Sequence, residues 1–205
     1  MKTSCIMLGC AMTVAAFAEA EAQDLIKNGG FELEGTNPMH FSNAKSHWYG
    51  WTSVRVKMPE NEKKALLAQT RHEAVKENPA NGTASLALIT PENGYIKSPG
   101  HISNTVAQNI VLHAGKTDRG YRLSAKLRGI SGSDLMIFII PQKKVEKKYV
   151  PGGKTIIFAV KTAEAWRDFA KDFVLPADIA GFRLEFSLYG SGSVFVDDVQ
   201  IVPIK

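Results

Sequence analysis

Residues 121–130 read Tyr-Arg-Leu-Ser-Ala-Lys-Leu-Arg-Gly-Ile. Tyr121, Leu123, Ala125 and Leu127 share one phase, and Arg122, Ser124, Lys126 and Arg128 share the other. Successive side chains on a strand point to opposite faces, so this alternation marks a strand with one buried face. Residues 182–189 repeat it, with Phe182, Leu184, Phe186 and Leu188 inside and Tyr189 on the opposite phase beside Arg183 and Glu185. Residues 135–141 form a continuous apolar run, the pattern of a strand covered on both faces. Residues 155–160 make another β-branched and aromatic run, after a Lys-rich connection that holds a Pro151-Gly152-Gly153 turn. Within residues 104–112, Val106 and Ile110 are assigned to one face and Gln108 to the opposite one. Residues 194–202 close the domain. Short strands at this spacing, separated by turn residues, predict an all-β sandwich.

One stretch resists that reading. Residues 55–80 contain Pro59-Glu60-Asn61-Glu62 followed by good helix formers, which suits a helix with an acidic first turn. Residues 65–70 suit equally a strand entering the Asn78-Pro79-Ala80-Asn81-Gly82 turn. The expectation is a mostly β domain with an insertion here that has room for one short helix.

The chain of 205 residues is 44% hydrophobic and 22% charged, a globular composition that excludes a disordered or collagen-like chain. A mean hydropathy of −0.11 excludes a multi-span membrane protein. Lys2 is the only charge before Glu19, and residues 5–18 are apolar, as in a secretory leader. The small-x-small pattern Ala16 to Ala22 places cleavage after Ala20 or Ala22. The apolar run is too short to span a hydrocarbon core of about 30 Å comfortably. Leu8-Gly9-Cys10 raises lipidation of Cys10, but the apolar run continues past it to Phe17. The expected organisation is a cleaved leader over residues 1–22 and a single domain over residues 23–205. Both cysteines, Cys5 and Cys10, leave with the leader, so the exported domain, whether secreted, periplasmic or on the cell surface, has no disulfide. Removing Lys2 together with Glu19 and Glu21 raises the net charge by one from +5.

Several segments, taken in order, resemble the family 4, 9 and 22 carbohydrate-binding modules. Leu25-Ile26-Lys27-Asn28-Gly29-Gly30-Phe31-Glu32 is similar to their opening strand, and Gly50-Trp51 to their Gly-Trp pair. Asn81-Gly82-Thr83-Ala84-Ser85-Leu86, the Gln108-containing segment at residues 106–112 and Tyr121-Arg122-Leu123-Ser124-Ala125-Lys126 follow. Trp166 through Phe173-Val174-Leu175-Pro176 resembles the Trp…Phe-x-x-Pro segment, and Phe195-Val196-Asp197-Asp198-Val199 the closing strand. The resemblance implies a jelly-roll β-sandwich of two antiparallel sheets, of the galactose-binding type. It also implies a structural calcium between the first and last strands, ligated by Glu32, Asp197 and nearby carbonyls; Ca²⁺ takes six to eight oxygens. The competing role for these two is hydrogen bonding, Asp197 to backbone amides and Glu32 to a surface cation. Asp198 should point away from Asp197.

Sugar recognition uses flat apolar rings flanked by hydrogen-bonding groups. By the resemblance Trp51 and Trp166 take core positions, and Tyr121 alternates with core residues. Trp48, Tyr49 and Tyr95 lie in polar segments and are the candidates for exposed platforms. If their strands share one concave sheet, Gln108, Arg128, Glu185 and Tyr189 make a polar cleft. Enzyme motifs are missing: no G-x-S-x-G, P-loop or H-E-x-x-H occurs. His40, His47, His72, His101 and His113 show no metal-ligand spacing. The Lys143-Lys144-Val145-Glu146-Lys147-Lys148 run suits either a polyanion patch or a solvated hairpin whose lysines discourage edge pairing.

The expected function is therefore an exported, non-catalytic glycan or polysaccharide binder, free-standing or part of a surface complex. No nucleic-acid partner and no membrane span are expected. The alternatives are a structural or adhesive envelope protein using the same fold for protein contacts, and a small glycoside hydrolase or lyase.

Overall fold

A computed structural model describes residues 24–32, 47–112, 120–130 and 134–204. The expected leader at residues 1–22, with Cys5 and Cys10, lies outside the described residues, as do His40 and His113. Eleven strands occur among the described residues. They are β1 (Tyr49–Val54), β2 (Arg71–Val75), β3 (Ser85–Thr90), β4 (Ile102–Val111), β5 (Gly120–Gly129) and β6 (Asp134–Val145), followed by β7 (Lys148–Pro151), β8 (Ile156–Lys161), β9 (Arg167–Val174), β10 (Gly181–Tyr189) and β11 (Gly192–Ile204). One sheet has the order β1-β4-β10-β6-β7, with β8 also paired to β6; the other has the order β2-β3-β11-β5-β9. Every pairing is antiparallel. This is the expected jelly-roll β-sandwich.

The alternation places the core. Tyr121, Leu123, Ala125 and Leu127 of β5 meet Phe182, Leu184, Phe186 and Leu188 of β10 in one buried cluster between the sheets. β6 is covered less evenly than its apolar run implies. Leu135, Ile137 and Ile139 are buried, while Met136, Phe138 and Ile140 are only partly covered on the outer face.

The ambiguous stretch holds both elements. A helix, α1 (Glu60–Gln69), starts at Pro59 with Glu60 and Glu62 in its first turn, where carboxylates favour the helix dipole. It buries only Leu66 and ends where the Thr70 N–H and hydroxyl both donate to the Leu66 carbonyl, at 3.0 and 2.8 Å. The strand follows at β2, later than residues 65–70.

Residues 25–32 do not form a regular strand. They run beside β11 through two backbone bonds, Leu25 N–H to Ile201 O at 2.9 Å and Val199 N–H to Gly29 O at 3.0 Å. The approach is so close that a Cβ on Gly29 would stand 1.9 Å from the Val199 carbonyl oxygen. That is the physical reason for glycine there.

Candidate functional site

The site is built from the outer phase of the first sheet. Cross-strand registers bring Tyr49, Trp51 and Ser53 of β1 beside Ala107, Thr105 and Ser103 of β4. Those residues lie beside Glu185, Ser187 and Tyr189 of β10, which in turn face Phe138, Met136 and Asp134 of β6. Here β4 carries short side chains, β1 and β6 carry rings, and β10 carries Glu185 and Ser187 with Tyr189 at its end. The result is a trough with a small polar floor and aromatic walls.

On one wall Tyr49 and Trp51 stack with centroids 5.8 Å apart, as side chains two residues apart on one strand face do when both are planar. On the other, Phe138 and Tyr189 lie 6.3 Å apart and tilted. Thr105 and Ser187 share a hydroxyl hydrogen bond of 2.8 Å on the floor. The Arg183 guanidinium stands 5.9 Å from the Trp51 ring. Its Nε lies 2.6 Å from Glu185 Oε1 as an ion pair, and both atoms are buried. Burial pushes the Glu185 carboxyl above the usual carboxylate range, and the neighbouring Arg183 opposes that shift.

Of the expected site residues, Tyr49, Glu185 and Tyr189 meet here. Tyr95 is 39% exposed in the loop between β3 and β4, outside the trough registers. Three expectations are corrected. Trp48 is no platform: it is 1% exposed, packed 5.0 Å from Phe31 and 6.2 Å from Phe186, with its indole N–H donating to the Asn28 carbonyl. Gln108 shares the phase of Val106 and Ile110, so it points inward and bridges the Lys27 N–H and carbonyl at 3.0 and 2.8 Å. Arg128 lies on the other sheet, its guanidinium 4.2 Å from the Phe195 ring and 5.2 Å from Trp166.

The core roles of two tryptophans also change. Trp51 is a half-buried wall residue, and half-buried Trp166 lies against Arg128 with its indole N–H on the Asn78 carbonyl. Tyr121 is buried as expected. Sequence reasoning missed Trp51, Phe138, Thr105, Ser187 and Arg183 as trough residues. The signal for Trp51 was its shared phase with Tyr49.

Glu32 and Asp197 face one turn from two sides. Asp197, fully buried, accepts from the Ala80 and Asn81 amides at 2.8 and 3.0 Å and from the Asp198 amide at 2.7 Å. Burial raises its pKa against those amide bonds. Glu32 accepts from the Thr83 amide at 3.0 and 3.1 Å and from the Thr83 hydroxyl. Asp198 does not turn away. At a bulge in β11 its left-handed φ of 49° lets its carboxylate take the Asn81 side-chain amide at 3.0 Å. Two carboxylates on one turn are the right donor chemistry for Ca²⁺; the N–H groups already aimed at them are not. No group of three His, Cys, Asp or Glu side chains is placed to hold a metal among the described residues.

No protein-family model matches the chain, and no curated protein matches it in sequence. Solved structures do match its shape. The enzymatically active domain of bacteriophage CBA120 tailspike protein 4 aligns at 12% identity over 88% of this chain, with a TM-score of 0.59. This chain spans only 21% of that tailspike domain. A family 61 carbohydrate-binding module in complex with β-1,4-galactotriose aligns at 18% identity over 89% of this chain and 100% of its own, with a TM-score of 0.56. A family 11 module from Clostridium thermocellum, in complex with a β-1,3-1,4-mixed-linked tetrasaccharide, aligns at 10% identity over 81% of this chain and 94% of its own, with a TM-score of 0.52. At such identities these similarities establish a shared jelly-roll fold.

Proposed function

We propose that the chain is an exported, non-catalytic glycan-binding protein of the family 4, 9 and 22 type, and that the trough on β1, β4, β10 and β6 is its binding site. One observation carries the reading. Tyr49 and Trp51 of β1 oppose Phe138 of β6, with Tyr189 of β10 beside it, across a floor that holds Thr105, Ser187 and the Arg183–Glu185 ion pair. Rings stack on the apolar faces of sugars, and polar groups at their margins take the hydroxyls. Three inter-strand steps separate the wall strands by about 14 Å, which suits a single glycan chain. Two proteins of similar fold hold oligosaccharides in their own structures.

Binding rather than hydrolysis is supported by the acids on this face. Among its described strand residues, Glu185 pairs with Arg183, and Asp134 pairs with Lys161. They are offset by four positions along the strands, about 13 Å, whereas paired glycosidase carboxyls stand about 5–9.5 Å apart. The test is retention of the mature protein on a panel of immobilised neutral and acidic polysaccharides, alongside a reducing-sugar assay. Retention on at least one polymer without release of sugar is expected. Retention on none would overturn the reading.

The implied calcium belongs to this proposal as a separate element. Glu32 and Asp197 retain lone pairs beyond those taken by the turn, and a cation seated there would tie residues 24–32 to β11. A higher melting temperature in Ca²⁺ than in EDTA supports it. Superimposable melting curves leave the two carboxylates as hydrogen-bond clamps alone.

A further inference from the structure

β6 runs past the end of its neighbour. Its last residues, Gln142 to Val145, pair with Lys148–Pro151 of β7 in a hairpin that overhangs the start of β10. Directly paired residues share a face. Lys144 pairs with Tyr149, and Lys144 has the phase of Met136, Phe138 and Ile140, so both residues continue the trough face. Val145 and Lys148 pair on the opposite face.

A glycine supports this placement. Gly181 begins β10 on the phase of Arg183 and Glu185; a Cβ there would stand 2.5 Å from the Ile110 carbonyl oxygen and 3.5 Å from Tyr149 Cε1, so the Tyr149 ring lies beside this end of β10 on the trough face. Tyr149 is 38% exposed, so part of the residue remains accessible. Between it and the main trough, the Gln142 side-chain amide reaches Asn109 Oδ1 at 3.4 Å and offers a polar floor.

Charge then selects the ligand. Arg183 pairs with Glu185 and Lys161 with Asp134, so the cations of the main trough are neutralised. Lys143, on the other face of the hairpin, pairs with Asp178 at 2.6 Å. Lys144 is exposed and has no ion-pair partner among the described residues, while at the two-residue hairpin tip Glu146 and Lys147 carry opposite charges, so Lys144 is the unpaired cation on this face. An unneutralised cation beside a partly accessible tyrosine fits an acidic sugar better than a neutral one.

We propose that the β6–β7 hairpin adds an end subsite to the trough, in which Tyr149 stacks on an acidic sugar unit and Lys144 pairs with its anion. This rests on the glycan-binding reading above. It goes beyond that reading by naming the ligand as a polysaccharide carrying carboxylate or sulfate groups.

The experiment is affinity electrophoresis or calorimetry of the mature protein with polygalacturonate, carrageenan, β-1,4-galactan and xylan, in 50 mM and 500 mM NaCl. Tighter binding to polygalacturonate or carrageenan at low salt, lost at high salt, is expected; which of the two is preferred identifies carboxylate or sulfate. Lys144→Ala should weaken acidic-polymer binding roughly fivefold, and Tyr149→Ala roughly three- to tenfold. Lys148→Ala, on the far face, should leave it unchanged. Equal losses for Lys144→Ala and Lys148→Ala would overturn the subsite by showing attraction to a diffuse charge. Equal affinity for neutral and acidic polymers overturns this inference while leaving the trough reading intact. Binding to none of the polymers overturns both.

Discussion

Two tryptophans three residues apart have opposite roles in this structure, and exchanging their expected phenotypes would refute the reading of the trough. Trp48 is buried between Phe31 and Phe186 and bonds the Asn28 carbonyl. It therefore ties residues 24–32 to the first sheet. Large-to-small replacement of a buried Trp costs about 3–5 kcal/mol, and at about 2–4 °C per kcal/mol for a domain of this size, Trp48→Ala should lower the melting temperature by roughly 6–20 °C. Trp48→Phe keeps most of the packing. It loses a hydrogen bond of about 1 kcal/mol and part of the ring volume, so a fall of roughly 4–10 °C is expected. Neither variant, while folded, should lose glycan affinity.

Trp51 lies on an edge strand and is half exposed; its removal costs the stack on Tyr49 and the approach of Arg183. Those contacts are worth about 0.5–1 kcal/mol each, so Trp51→Ala should melt within roughly 8 °C of the parent. Glycan affinity should fall at least roughly fivefold, the loss of one stacking contact of about 1 kcal/mol or more. Melting by circular dichroism and binding by calorimetry on the same preparations separate the two effects. Unchanged affinity in Trp51→Ala, together with lost affinity and normal melting in Trp48→Phe, would show that the platform is Trp48.

Glu185 gives a pH test. Burial raises its folded pKa above the unfolded value, so the folded state holds the proton more tightly, and the associated stability is lost as pH rises through the folded pKa. The melting temperature of the parent minus that of Glu185→Gln should therefore increase as pH falls from 7 to 4; a constant or shrinking difference would contradict the burial of that carboxyl. Asp197 titrates alike in both proteins and cancels. Gly82 has φ of +61°, and a Cβ there would stand 1.8 Å from Glu32 Oε1. Gly82→Ala should destabilise by about 1–3 kcal/mol, measured by urea unfolding, and a loss below about 0.5 kcal/mol would mean that the Glu32–Thr83 clamp is not formed in solution.

Most of the fold was legible because period-2 alternation is a direct record of burial. Residues 121–127 and 182–188 place their apolar phase in the core without exception. The N-terminal segment was less legible. Its resemblance to an opening strand is real in sequence, but left-handed φ values of 53° at Asn28 and 52° at Phe31 fold it into a turn beside β11. The same local effect defeated alternation at Asp197-Asp198, where a bulge lets both carboxylates reach Asn81. Gln108 was misplaced against the period itself. Its polarity suggested an outward side chain, whereas it satisfies a backbone N–H and a carbonyl of residue 27 at the margin of the core.

The site was harder to read because phase says which side chains point outward, not which strands lie side by side. Arg128 and Glu185 both occupy outer phases, on opposite sheets. The two outer faces are also unequal. On the second sheet, Arg122 pairs with Asp172 and Lys126 with Asp168, both at 2.7 Å. Arg128 covers the rings of Trp166 and Phe195, and although its Nε finds no hydrogen-bond partner, the ring faces offset part of that deficit. That face uses its own cations to occupy its own aromatics and acids. On the first sheet Tyr49 pairs with Trp51 and Phe138 with Tyr189, and the buried Arg183–Glu185 ion pair lies between them. A ligand on the second sheet would have to break internal contacts to gain its own. The first sheet carries internal ion pairs too, Arg183–Glu185 and Lys161–Asp134, but its four rings are less covered by cations than those of the second, and that difference is why the proposed glycan site lies on β1, β4, β10 and β6.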